Sequence, residues 1–395
     1  MSAGGIIARN RAYESRVYDG RQPVAFVRGK GCELWDADGK RYLDLLAGLG
    51  VNNLGHCHPA VVAAVQRQAE TLMHASNLYH TEPAGELAAL LCEHSFADRV
   101  FLCNSGAEAN EAALKLARRW GADRGGGRYE ILATQGSFHG RTLATLTATG
   151  QEKYHQGFLP LLPGIRLVPY DDAEAMRAAV RDETVAILVE PIQGEGGVVV
   201  PRPDYLKQLR TLADEKHLLL IFDEVQCGMG RTGQLFAHEH FGVTPDILTL
   251  AKGLGGGLPV GAMCAPEHIA SVLTPGTHAS TFGGNPVTCA AATAAVEELA
   301  RPELLEHVRA MGRHLRAGLE RLVQKHRRVV GVRGIGLMQA ALLDGSGNDV
   351  VERCLEAGLL INCTAERALR FLPPLVVTSA QLDEGLAILD EVLAA

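Results

Sequence analysis

Three places in the chain put reactive side chains at the ends of apolar runs. The first is Asp246-Ile-Leu-Thr-Leu-Ala-Lys252-Gly-Leu-Gly-Gly-Gly-Leu-Pro-Val-Gly261, a strand-like run that ends on Lys252 and turns at once through glycines. Burial disfavours the charged form of an amine, so a lysine held at such a strand end suits Schiff-base chemistry. A surface lysine beside a flexible loop explains this stretch equally well. The second is Leu218-Leu-Leu-Ile-Phe-Asp223-Glu224-Val225-Gln226, where a fully apolar strand delivers two carboxylates. The third is Asn104-Ser105-Gly106-Ala107-Glu108, which opens a helix behind the run Val100–Cys103. Ser105 and Glu108 have capping-box spacing; Ala109, Ala113, Leu116, Ala117 and Trp120 give an apolar stripe, and Gly121 reads as its stop.

The carboxylates at Asp223 and Glu224 admit three readings. The acidic strand of a P-loop ATPase requires Gly-x-x-x-x-Gly-Lys-Ser/Thr, yet Gly29-Lys30 and Gly39-Lys40 are followed by Gly and Arg. Gly228-x-Gly230-x-x-Gly233 matches a dinucleotide pattern, but it neither follows the strand directly nor opens helical text. In the third reading, Asp223 holds a pyridine nitrogen protonated, Lys252 bonds to the same ring's aldehyde, and the helix start at Ser105 receives a phosphate. That reading uses all three strand ends and points to pyridoxal 5′-phosphate.

Positioning three such ends requires a sheet. The short apolar runs Val100–Cys103, Glu130–Thr134, Val185–Val189, Leu218–Phe222 and Ile247–Ala251 alternate with amphipathic segments, which predicts an α/β fold with a mostly parallel central sheet wrapped by helices. Ligands then lie at the carboxyl ends of the strands. Upstream, Val24–Gly29 and Cys32–Leu45 alternate around an Asp-Gly turn, as hairpins do. Gly55-His56-Cys57-His58-Pro59 supplies no third and fourth metal ligand, so a turn with buried imidazoles is expected and no metal. Downstream, helices over Pro286–Ala300 and Glu303–His326 lead to strand and helix text that ends in a helix from Ser379. The expected division is residues 1–60 packing with a small C-terminal α+β domain, 61–290 as a large cofactor domain, and 291–395 as the small domain.

A chain of 395 residues with 47% apolar and 21% charged residues describes a globular protein with a large core. The formal charge of −7 argues against nucleic acid or an anionic membrane as the main partner. Nine scattered cysteines without a Cys-x-x-Cys pair fit reduced thiols. No run is long enough to span a bilayer and the first residues are too short in apolar core for a secretory signal, so a cytoplasmic location is expected.

The runs Asn104–Lys115, Ser137-Phe-His-Gly-Arg-Thr142, Glu190-Pro-Ile-Gln-Gly-Glu-Gly-Gly197, Phe222–Gly233, Ala251–Gly257 and Ser280-Thr-Phe-Gly-Gly-Asn-Pro286 resemble those of class-III pyridoxal-phosphate aminotransferases, from about Val24 to the C-terminal helix. The resemblance implies fold type I and a homodimer with active sites at its interface. It implies Lys252 as the covalent anchor of the cofactor and proton shuttle, and Asp223 as partner of the pyridine nitrogen. Val225 and Phe138 would flank the ring and Gln226 would lie near its phenolic oxygen, with Glu224 beside them. Ser105, Gly106 and Ala107 would hold the phosphate, helped by Thr281 of the partner subunit. Arg141 would take the α-carboxylate of N-acetylornithine, near Ser280, and Arg370 that of glutamate or 2-oxoglutarate, with Glu195 masking Arg370 in the other half-reaction. A guanidinium fork matches a carboxylate bidentately. The implied reaction moves the δ-amine of N-acetylornithine to 2-oxoglutarate, within arginine biosynthesis. Family members acting on ornithine carry a tyrosine before the Val-Asn motif, whereas no aromatic residue occurs here between Leu43 and His56. That favours an N-acylated donor, with succinylornithine, N-succinyl-diaminopimelate, ornithine and 4-aminobutyrate as alternatives.

Overall fold

Alternation around the Asp-Gly turn produces an antiparallel meander of β1 (Phe26–Lys30), β2 (Glu33–Asp36) and β3 (Arg41–Asp44) in the computed structural model, which describes residues 2–124 and 126–394. A helix over Ala3–Tyr13 precedes it and buries none of its residues. The apolar runs that follow become β4 (Arg99–Cys103), β5 (Glu130–Thr134), β6 (Ile165–Val168), β7 (Thr184–Val189), β8 (Leu219–Asp223), β9 (Ile247–Leu250) and β10 (Gly261–Ala265). They form one seven-stranded sheet in the order β4-β10-β9-β8-β7-β5-β6. Strands β9, β8, β7, β5 and β6 run parallel, and β10 is antiparallel to both of its neighbours.

Every residue of β7 and β8 is buried, as expected for parallel strands covered by helices on both faces. That double covering is why these strands read as unbroken apolar text. Two strands escaped the sequence reading. β6 is four residues long and only Val168 in it is buried; β10 is Gly-Ala-Met-Cys-Ala, whose small side chains look like a continuation of the glycine turn. Both give weak local signals and are fixed by pairing with stronger neighbours.

The C-terminal region adds β11 (Val329–Ile335), β12 (Met338–Leu343), β13 (Leu359–Leu360), β14 (Asn362–Thr364) and β15 (Ala368–Phe371). Strands β11, β12, β15 and β14 make a separate sheet, while β13 pairs in parallel with β3. The N-terminal meander is thereby continuous with C-terminal structure. Arg231, fully buried, ties the parts together: its guanidinium donates to Leu337 O at 3.1 Å, Pro373 O at 2.5 Å and Asn53 Oδ1 at 2.6 Å. These acceptors carry no full charge, so burial pulls the guanidinium down to about 9. Losing one of these acceptors would leave a buried charged donor unsatisfied, which costs about 1.5–3 kcal/mol.

Candidate active site

The carboxyl ends of the central strands open on a cavity of about 490 Å³. Its wall includes Ser105, Gly106, Ala107, Phe138, Arg141, Glu195, Asp223, Val225, Gln226 and Lys252, together with Val51, Asn110, His139 and Glu190. Lys252 follows β9 directly and opens a short 3₁₀ turn, Lys252–Gly255. Its own φ is +47°, in the left-handed region, a conformation that costs a non-glycine residue about 1–3 kcal/mol. Among the described residues its amine has no hydrogen-bond partner. Burial and then Arg370 push the amine below the ordinary lysine range, against the opposing pull of Glu195, Asp223 and Glu190.

The following glycines divide the labour differently from a simple flexible tail. Gly256 (φ +58°) and Gly257 (φ +115°) make the turn. Gly253 and Gly255 instead allow close approach: a Cβ there would meet Asn53 Nδ2 at 2.3 Å and Val260 Cγ1 at 2.8 Å.

Asp223 ends β8 inside a closed network. Its Oδ2 accepts from Asn110 Nδ2 at 2.7 Å and lies 2.7 Å from His139 Nδ1, while Oδ1 accepts from Val225 N at 3.0 Å. Asn110 also donates to His139 O at 2.8 Å and accepts from Thr249 Oγ1 at 2.8 Å. All four side chains are buried, and among the described residues His139 Nε2 has no partner. Sequence reasoning found Asp223 but missed Asn110, His139 and Thr249. Two signals were present: Asn110 lies one helical turn after Gly106, and Thr249 is the residue paired with Asp223 across β8 and β9. Glu190, also missed as a site residue, accepts from Phe138 N at 3.1 Å and Gly194 N at 3.2 Å. Burial pushes its carboxyl up to about 7; His139 works against that shift and Asp223 with it.

The helix Gly106–Arg124 points its N-terminus into the cavity. Only half of the expected capping box forms. Glu108 N donates to Ser105 Oγ at 3.2 Å, but the Glu108 carboxylate reaches back past Ser105 to Asn104 N at 2.7 Å and Asn104 Nδ2 at 2.8 Å. First-turn N–H groups have no intrahelical acceptor, so those of Gly106 and Ala107 remain for an anion. Gly106 is required for packing as well: a Cβ would lie 2.7 Å from Val225 Cγ1. Gly121 does not stop the helix, which continues to Arg124; it is small because the Arg128 carbonyl crosses 2.2 Å from where a Cβ would be.

The two arginines differ sharply. Arg370, on β15, is fully buried and donates to Glu195 Oε1 at 2.5 Å, Gln226 Oε1 at 3.0 Å and, through Nε, Asn362 Oδ1 at 3.1 Å. Its Nη2 has no partner. Burial alone would raise the Glu195 carboxyl, but the charge and hydrogen bond of Arg370, with help from Lys252 and Gln226, hold it below the ordinary range. Gln226 spends both ends of its amide on this pair, its Nε2 donating to Glu195 at 3.4 Å. Arg141 is exposed and, among the described residues, forms no salt bridge. Its guanidinium carbon lies 3.9 Å from the Tyr154 ring centre and 5.5 Å from that of Phe138.

Four expected site residues are not on the wall of this cavity: Arg370, which is fully buried and joined to it through Glu195 and Gln226, and Glu224, Ser280 and Thr281. Glu224 turns away: its carboxylate accepts from Ala237 N at 2.5 Å and His238 N at 2.8 Å, with His238 Nδ1 also at 2.8 Å. Alternation along an extended strand end sends Asp223 and Glu224 to opposite sides, so the Glu224 carboxylate caps the segment at Ala237 and His238, away from this cavity. Ser280 and Thr281 line a separate surface depression with His278, Glu108 and Glu111, where Ser280 Oγ accepts from Gly283 N at 2.9 Å. Within one chain neither reaches the cavity holding Lys252.

A buried carboxylate, a partnerless amine, a helix N-terminus and an aromatic wall fit pyridoxal 5′-phosphate, and with this mixed sheet they define a fold type I enzyme dependent on that cofactor. Residues 15–393 match the model of the Aminotransferase class-III family. The chain is 53% identical over 395 residues to an acetylornithine aminotransferase of Methanocaldococcus jannaschii, covering 99% of this chain and 98% of that one. It is 52% identical over 391 residues to an acetylornithine aminotransferase of Caldanaerobacter subterraneus subsp. tengcongensis, covering 98% and 99% respectively. A solved ornithine aminotransferase from Toxoplasma gondii, with pyridoxal phosphate at its active site, superposes with a TM-score of 0.96 at 38% identity, covering 100% of this chain and 94% of that one. The chain belongs to the class-III aminotransferase family and is a pyridoxal-phosphate-dependent transaminase. Among the described residues no helix is long and apolar enough to cross a membrane.

Proposed function

We propose that this enzyme transfers the δ-amino group of N2-acetyl-L-ornithine to 2-oxoglutarate, giving N-acetyl-L-glutamate 5-semialdehyde and L-glutamate, a step of arginine biosynthesis. The observation that carries the reading is the pair of unequal guanidiniums around one lysine: Arg141 open and without an acid, Arg370 sealed against Glu195. Two substrates that each carry an α-carboxylate, but react at different ends, need two such sites. Full-length likeness to enzymes named for acetylornithine supports the donor. So does the lack of an aromatic residue between Leu43 and His56.

Bound pyridoxal phosphate supplies an aldehyde that takes up an amine and a ring that takes up electrons. Asp223, braced by Asn110 and His139, would keep the pyridine nitrogen protonated. Ser105, Gly106 and Ala107 would hold the phosphate, Phe138 and Val225 would flank the ring, and Lys252 would hold the cofactor. Lys252 Nζ then takes the proton released from the amine-bearing carbon of the substrate. Arg141 binds the carboxylate of the acylated donor. Arg370 binds that of 2-oxoglutarate once Glu195 gives way, and its free Nη2 is an available donor.

Ser280 and Thr281 serve the neighbouring subunit of a homodimer, with Thr281 reaching its phosphate. The exposed apolar residues Met73, Leu78, Tyr79 and Phe282 support such an interface. They sit where Asn77 donates to Ser280 O at 2.7 Å and the His74 and Phe282 rings meet at 5.4 Å. Residues 61–290 form the large domain, 291–395 the small one with 1–60 packed on it, and the enzyme works in the cytoplasm. A half-reaction panel on the holoenzyme tests the donor. Acetylornithine should deplete the cofactor's visible band with the highest kcat/KM among acetylornithine, succinylornithine, ornithine and 4-aminobutyrate; a clear preference for another amine would overturn it.

A further inference from the structure

We propose that Tyr154 positions Arg141 and thereby sets selectivity for the acylated donor, a proposal that rests on the reading of Arg141 as the donor-carboxylate site. Arg141 lies on an exposed loop, and an arginine there has several rotamers to lose on binding. What holds it is aromatic: its guanidinium sits 3.9 Å from the Tyr154 ring centre, and Tyr154 in turn meets Phe138 edge-on at 6.0 Å and 84°. A face contact engages the flat surface of the guanidinium and leaves its N–H edge free for an incoming carboxylate. An acidic partner would occupy that edge, as Glu195 does at Arg370. The ring is therefore a brace that orients the cation without competing for its substrate.

The brace is itself anchored. Tyr154 belongs to the short turn Glu152–His155, and the buried His155 ring has Nε2 2.9 Å from Leu146 O and 2.8 Å from Thr149 O. Two carbonyl acceptors require that this nitrogen carry the proton, so the ring donates to both. Gln151 Nε2 also donates to Ser137 O at 3.1 Å, tying the turn to the loop that carries Phe138 and His139. Lys153 Nζ lies 4.9 Å from the same Tyr154 ring, so a second cation shares the platform.

The test compares Tyr154→Leu, Tyr154→Phe, Arg141→Ala and Tyr154→Leu/Arg141→Ala holoenzymes. Measured are KM and kcat for N-acetylornithine and 2-oxoglutarate, and calorimetric Kd for N-acetyl-L-norvaline, which keeps the carboxylate and amide but lacks the reacting amine. Loss of the ring should raise the donor KM and the analogue Kd about threefold to tenfold, with kcat and the 2-oxoglutarate KM held within about twofold. Tyr154→Phe, which keeps the aromatic face, should stay near wild type, and Tyr154→Leu should add nothing once Arg141 is gone. Equal losses for 2-oxoglutarate, a fall confined to kcat, or the same loss in the Arg141→Ala background would overturn the proposal. If Arg141→Ala weakens the analogue and Tyr154→Leu does not, Tyr154 alone is excluded. If Arg141→Ala leaves analogue binding intact, the reading of Arg141 fails and the proposal falls with it.

Discussion

Arg141 and Arg370 carry the same side chain in opposite surroundings. Arg141 is exposed, and among the described residues it forms no salt bridge and lies against aromatic faces. Arg370 is fully buried, so it is rigid but needs a permanent counter-charge, which Glu195 supplies at 2.5 Å. On the proposed reading the open site would select by being ready and the sealed site by exchange, with an incoming carboxylate replacing Glu195. Arg141 on the cavity wall and Arg370 buried behind Glu195 would then serve as two carboxylate sites that do not compete for every substrate.

The largest expected effect collapses the contrast altogether. Lys252 shares a cavity wall with Arg141 and Glu195, and Lys252→Ala should abolish turnover and the visible absorbance of the covalently held cofactor, for donor and acceptor alike. Retained multiple turnovers would show that the two arginines serve some other chemistry. At the small end, Glu190 shares the cavity, but among the described residues its carboxylate bonds to Phe138 N and Gly194 N and not to either guanidinium. Its carboxyl is raised from an ordinary 4.5 to about 7, so between these values the cofactor-free folded state holds a proton that the unfolded chain has lost. The sign is therefore destabilising with rising pH: this group's contribution is harmless below about 4.5, worsens up to about 7, and is constant above. Chemical denaturation of Glu190→Gln against wild type should show that slope removed, with the two substrates' relative KM unchanged. An unaltered pH slope would mean that Glu190 titrates normally.

The same contrast explains what could be read from the sequence. Strands β7, β8 and β9 were legible because burial on both faces demands unbroken apolar text, and Asp223 and Lys252 were legible as polar residues that terminate it. Asn110, His139 and Thr249 were not, because what makes them functional is their convergence on one carboxylate from three separate segments. The direction of Glu224 was not legible, because adjacency in sequence to Asp223 says nothing about side; its carboxylate faces Ala237 and His238. Arg370 and Glu195 are 175 residues apart in sequence, so only the resemblance to a family joined them before the fold did. Tyr154 had no sequence signal, since an aromatic residue in a polar turn is ordinary surface text.

The central claim is that two guanidiniums divide the two substrates between them, and half-reaction titrations of Arg141→Ala and Arg370→Ala holoenzymes test it most directly. Arg370→Ala should cost about a hundredfold or more in kcat/KM for 2-oxoglutarate, because a fully buried charge-assisted contact is lost. Arg141→Ala should cost about tenfold to a hundredfold for N-acetylornithine, from a more solvated site. Each variant should retain the other half-reaction nearly intact. Equal losses in both half-reactions for either variant, or losses in the reverse order of substrates, would contradict the division.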